Sequence, residues 1–93
     1  MLNKRFETGR LRMTSGVNAQ VQTDPDFPYR LMAAVGRYIN GDWGDLYDFD
    51  KKENDRALLK GGRLLGRYNI YPDIYIITEH DRSLTTVLLP DEY

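Results

Sequence analysis

The chain contains no cysteine and a single histidine. Without thiols there is no disulfide framework, no thiolate metal site and no cysteine nucleophile, so stability has to come from packing, as in proteins of a reducing compartment. One imidazole also falls short of the donor set that a zinc site of protein ligands needs. Long apolar runs are missing too. No stretch approaches the roughly 18 residues that span a bilayer, and the opening MLNKRFETGRLRM carries charges where a secretory leader has its apolar centre. The expectation is a cytoplasmic protein, neither secreted nor inserted in a membrane. Nor is there an excess of one charge: thirteen basic and fourteen acidic residues give a net charge of −1, too little for a field that draws in nucleic acid or imitates it. Walker, G-x-G-x-x-G, G-x-S-x-G and H-E-x-x-H motifs are all absent, which removes most enzyme classes that can be read from sequence.

What is present suits a folded domain. Hydrophobic residues make up 41% and charged residues 29% of the chain, well away from the composition of disordered proteins. Ninety-three residues support one core, hence a single domain over 1–93. No repeat, linker or low-complexity segment interrupts it.

Residues 9–14 alternate apolar and basic, so a strand there places Leu11 and Met13 on one face and Arg10 and Arg12 on the other. Thr14 or Ser15 then caps a brief helical turn in which Val17 and Val21 share a side. After the breaker run Thr23–Pro28 comes the clearest helix, with Asp26 as N-cap, Pro28 in the first turn and Leu31, Ala34, Val35, Tyr38 and Ile39 as its apolar stripe. Asn40-Gly41 stops it. Asp50 and Glu53 resemble a capping box for a second helix over 51–60, which ends at Gly61-Gly62.

Beyond those glycines the period is ambiguous. Leu58, Gly61, Leu65 and Tyr68 fit a continued helix, whereas two adjacent glycines, each about 1 kcal/mol worse than alanine in a helix, favour a strand over 63–70. Tyr71-Pro72-Asp73 turns the chain into a β-branched and aromatic strand over 74–78, matched by 84–89. With His80-Asp81-Arg82-Ser83 as the loop, Ile74, Ile76 and Thr78 oppose Leu89, Val87 and Thr85, and Pro90 ends the pairing. The fold class is therefore α+β: a small antiparallel sheet, made of the N-terminal strand and a C-terminal three-stranded meander, packed with two or three helices.

Chemistry concentrates in three places. The hairpin tip holds Glu79, His80, Asp81 and Arg82 among hydroxyls, the palette of acid–base or phosphate chemistry, although tips are polar simply because their backbone is solvated. Asp42, Asp45, Asp48 and Asp50 could attract a hard cation, but their spacing is not that of an EF-hand loop, and turns and caps account for Asp42 and Asp50. No metal or cofactor is expected. Trp43, bracketed by glycines, either packs over the core edge or anchors a partner. Arg10, Arg12, Arg56, Lys60, Arg63 and Arg67 are candidates for a nucleic-acid surface, and the seven tyrosines include some suited to stacking.

Gly41-Asp42-Trp43-Gly44-Asp45, the run Lys51-Lys52-Glu53-Asn54-Asp55, and the segment Ile76 to Thr86 followed by Leu89-Pro90-Asp91-Glu92-Tyr93 together resemble a family of short bacterial proteins carried on plasmids and other mobile elements. Its members are labelled plasmid-related, hypothetical, or type I restriction endonuclease subunit, and the resemblance runs from about Leu11 onward. The family motifs carry no established mechanism; the leading expectation is a non-enzymatic accessory protein that binds another protein, and the mobile-element setting makes a modulator of host defence, such as an anti-restriction or anti-CRISPR protein, a reasonable subtype. The expected contact surface is the hairpin tip together with the Trp43 turn: Asp42, Trp43, Asp45, Glu79, His80, Asp81 and Arg82. Two other classes stand beside it: a small metal-dependent hydrolase or nuclease using the hairpin carboxylates, and nucleic-acid binding through the six basic residues. Oligomeric state is left open.

Overall fold

The computed structural model describes residues 4–93. A strand β1 (Arg10–Met13) leads into three helices, α1 (Ser15–Thr23), α2 (Phe27–Ile39) and α3 (Asp48–Lys60). Strands β2 (Leu64–Asn69), β3 (Asp73–Thr78) and β4 (Leu84–Leu88) follow, and a 3₁₀ turn over Pro90–Glu92 comes last. The sheet order is β1-β4-β3-β2. The α+β class and the C-terminal meander are as the sequence predicts, and residues 64–69 form a strand. Pairing of Ile76 with Val87 and of Thr78 with Thr85 follows the expected register.

One correction concerns the N-terminal strand. It joins β4 in parallel, Leu11 beside Thr85 and Met13 beside Val87, so the sheet is mixed rather than antiparallel. Some 70 residues of chain separate the partners, and parallel pairing leaves no hairpin turn in the sequence to announce it. A second correction concerns α3. It begins at Asp48 behind an extended Tyr47 cap, so Asp50 is a first-turn residue, where its charge complements the helix N-terminus, rather than the cap itself. At α1, Thr14 is the cap, accepting the Val17 N–H at 3.4 Å. Asp26 stands at the start of α2 without bonding through its side chain.

The core lies between the sheet and the helices. On the helix side, Leu64 and Tyr68 of β2, Ile74 and Ile76 of β3 and Val87 of β4 meet Val17, Phe27, Ala34, Tyr38 and Trp43. Gly66 is needed there: a Cβ would lie 2.9 Å from the Tyr38 ring and closer still to Tyr68. A chain of hydroxyls crosses this otherwise apolar interior. The Tyr38 hydroxyl lies 2.6 Å from Thr78 Oγ1, which lies 2.7 Å from Thr85 Oγ1, which in turn donates to the Thr8 carbonyl at 2.7 Å. Because that last bond fixes the Thr85 proton, the others must run from Tyr38 to Thr78 and from Thr78 to Thr85. Burial pushes the Tyr38 phenol far above its ordinary value, so it remains a donor at any physiological pH.

Candidate functional site

The residues put forward from sequence fall in two separate places. The Trp43 turn docks on β2: the Arg67 N–H donates to the Trp43 carbonyl at 3.1 Å, the Asp45 N–H to the Arg67 carbonyl at 2.7 Å, and the Asn69 N–H to the Asp45 carboxylate at 3.0 Å. The hairpin tip lies beyond the Leu64–Thr78 pair, at the other end of the same six-residue ladder. At about 3.3 Å per residue the two clusters stand roughly 15–20 Å apart. They are not one patch, and the carboxylates at the tip do not converge with Asp42 or Asp45. Among the described residues no three Asp, Glu or His side chains gather as a metal site.

Each cluster is largely consumed by structure. Trp43 is 3% exposed, stacked among Phe6 and Tyr38 at ring separations of 5.9 and 5.6 Å, with its indole N–H donating to Asp55 at 2.9 Å. It is a core residue and offers no surface to a partner. Asp42 accepts from Arg37 at 2.8 Å and from the Gly44 N–H at 3.0 Å, and the guanidinium holds its carboxyl below the usual range. Gly44 itself has φ +80°, and a Cβ there would fall 2.0 Å from the Arg67 carbonyl oxygen. At the tip, Arg82 turns its guanidinium inward to the carbonyls of Gly62, Glu79 and Ala57. Asp81 accepts the Ser83 N–H at 3.0 Å and the Ser83 hydroxyl at 2.6 Å, which keeps its carboxyl low. Glu79 reaches Arg63 at 3.7 Å. His80 is exposed and makes no hydrogen bond among the described residues.

The six basic candidates also divide. Arg56 and Lys60 belong to α3, where Arg56 pairs with Glu53 at 2.7 Å. Arg67 is held by Asp73 at 3.1 Å with its guanidinium 5.7 Å from the Tyr75 ring centre, and Arg63 lies over Tyr93 at 5.9 Å. Arg10 and Arg12 are exposed on β1 with no carboxylate within ion-pair distance among the described residues; Arg12 donates to the Thr86 hydroxyl at 3.1 Å and lines a shallow depression with Glu79 and Glu92.

The two outer edges of the sheet differ in a way the sequence did not reveal. The outward N–H groups of Leu65, Arg67 and Asn69 and the outward carbonyls of Leu65 and Arg67 on β2 all find partners. Leu65 is clamped by Asn54, whose amide accepts the Leu65 N–H and donates to the Leu65 carbonyl, and Arg67 and Asn69 are met by the Trp43 turn. On β1, Arg10 and Thr14 donate toward β4, to Ser83 and Val87, each at 3.0 Å. Alternation along a strand then points the N–H and C=O of Leu11 and Met13 away from the sheet. These have no partner among the described residues. On the helix side of the same edge runs a groove of about 440 Å³ bounded by Leu11, Met13, Leu31, Met32, Val35 and Ile39. Leu11, Met13 and Met32 are 55, 44 and 72% exposed, enough to leave its walls open to solvent. Sequence reasoning placed Leu11 and Met13 facing a core. They share the core's face of the sheet, but α2 is not packed down on them, and nothing in the residue pattern marks that gap.

No protein-family model, curated protein or solved structure matches this chain.

Proposed function

We propose that this protein is a non-enzymatic interaction module that receives a segment of a partner protein along β1 and in the groove beside α2. One contrast carries the reading: Asn54 and the Trp43 turn bond five outward backbone groups of β2, whereas the β1 edge keeps its donors and acceptors open beside exposed apolar side chains. An open edge next to an apolar trough is where a protein adds a strand from another chain, the edge supplying main-chain bonds and the trough the side-chain contacts. Asp81 and Arg82 support the binder more as scaffold than as contact, since their side chains hold the hairpin tip in shape. The setting, a mobile-element protein that modulates host defence, is supported by the family resemblance alone.

Photo-crosslinking in the native host tests this. A benzophenone amino acid at Met32, in the groove, should give a discrete protein adduct, and the same group at the exposed Tyr47, remote from the groove, should not. Equal adducts from both positions, or none from Met32, would contradict the proposal.

A further inference from the structure

Resting on that reading, we infer that the partner segment is an extended strand in which apolar residues alternate with acidic ones. The face rule for strands leads to it. A segment paired with β1 directs alternate side chains to the two faces of the sheet. On the helix side those side chains enter the groove between Leu11, Met13 and α2 and have to be apolar. On the opposite side they lie beside Arg10 and Arg12, both exposed and in no ion pair among the described residues, although Arg12 shares that face with Glu79 and Glu92. Opposite charges across a strand pair stabilise it, and like charges directly opposite destabilise it.

The same rule disfavours the simplest alternative, a second copy of the chain. A two-fold antiparallel pairing of β1 with itself that sets Leu11 against Leu11 or against Met13 puts arginine against arginine on the other face, Arg10 against Arg12 in the first register and Arg12 against Arg12 in the second. Dimensions agree with an inserted strand. The groove follows α2 from Leu31 to Ile39, about 12 Å of helix at 1.5 Å per residue. That is close to the roughly 13 Å of a four-residue strand, and the ~6 Å between successive groove-facing turns suits the ~6.6 Å between alternate strand side chains.

The test uses two fluorescein-labelled hexapeptides, Val-Glu-Val-Asp-Val-Glu and Val-Lys-Val-Lys-Val-Lys, titrated by anisotropy against the full chain, against the Arg10→Glu/Arg12→Glu double variant and against Met32→Glu. All three substituted positions are exposed, so the fold should survive. The acidic peptide should bind the natural chain at least about tenfold more tightly than the basic one. The double variant should invert that order, and Met32→Glu should weaken the acidic peptide by about tenfold or more. Equal affinity for both peptides, an order unchanged in the double variant, or a concentration-dependent dimer abolished by Arg12→Glu would overturn the inference. If neither peptide binds while the Met32 crosslink still forms, the strand chemistry is wrong and the interaction module stands. If the crosslink fails as well, both fall.

Discussion

Replacing Thr78 by valine tests the buried hydroxyl chain, because it removes the middle link and keeps the shape. Thr78 and Tyr38 are both fully buried, so in Thr78→Val the Tyr38 hydroxyl loses its acceptor with no water to replace it. A stranded buried donor costs about 1–3 kcal/mol, and the lost bond from Thr78 to Thr85 adds about 1 kcal/mol, giving roughly 2–4 kcal/mol in all. In Tyr38→Phe the donor goes with its bond and Thr78 keeps Thr85, so the cost should be nearer 1 kcal/mol. The double variant leaves no stranded phenol. It should therefore be less destabilised than the sum of the singles by about 1–2 kcal/mol, a coupling that only a direct contact produces. Urea unfolding followed by the fluorescence of Trp43, the one tryptophan and a core residue, would measure all three. In a domain of this size each kcal/mol should also move the thermal midpoint by about 4–8 °C. Thr78→Val no worse than Tyr38→Phe, or additive losses in the double variant, would refute the chain and the donor direction assigned to it.

Asn54→Ala should expose the Leu65 backbone groups at the β2 edge and cost about 1–3 kcal/mol, while promoting self-association through that edge; sedimentation at rising concentration would detect it, and an unchanged monomer of unchanged stability would contradict it. Gly44→Ala places a methyl against the Arg67 carbonyl at a left-handed backbone position and should cost more than about 2 kcal/mol by urea melt. Four carboxyls are held low: Asp24 by Arg30, Asp42 by Arg37, Asp81 by the Ser83 hydroxyl and Glu92 by the Thr14 hydroxyl. Groups with depressed folded-state values add stability above their unfolded values, 3.8 for aspartate and 4.5 for glutamate, and that stability is lost as pH falls through the lower folded values. The urea midpoint should accordingly be flat from pH 7 to 5 and fall below about pH 4.5; a midpoint constant down to pH 2.5 would contradict these contacts.

Local signals in the sequence carried far, and long-range ones did not. The α2 stripe from Leu31 to Ile39, the stop at Asn40-Gly41 and the register of β3 on β4 are all written in residues that lie near one another, where period and turn chemistry decide the outcome. The ambiguity at Leu64–Asn69 resolved toward a strand because Gly61 and Gly62 adopt φ +84° and +145°, which a helix cannot contain. The parallel seat of β1 depends on Thr14 bonding Val87 and on Thr85 reaching Thr8, contacts between distant parts of the chain that no spacing encodes. Site residues suffered most. Asp81, Arg82, Asp42 and Asp45 have the composition of a reactive cluster, but in a chain of this size polar side chains near turns are recruited to bond the backbone. The open β1 edge has the opposite character: Leu11 and Met13 look like core residues, and only the path of α2 above them turns that face into a groove.

Hydrogen exchange of the β1 amides tests the central claim most directly. In the free protein the Arg10, Arg12 and Thr14 amides should exchange slowly, as donors to β4, while those of Leu11 and Met13 exchange at rates close to an unprotected chain. Saturation with the acidic hexapeptide should slow Leu11 and Met13 by about tenfold or more and leave the Glu79–Ser83 tip unchanged. Leu11 and Met13 already protected in the free protein, or protection appearing at the tip rather than at β1, would contradict the account.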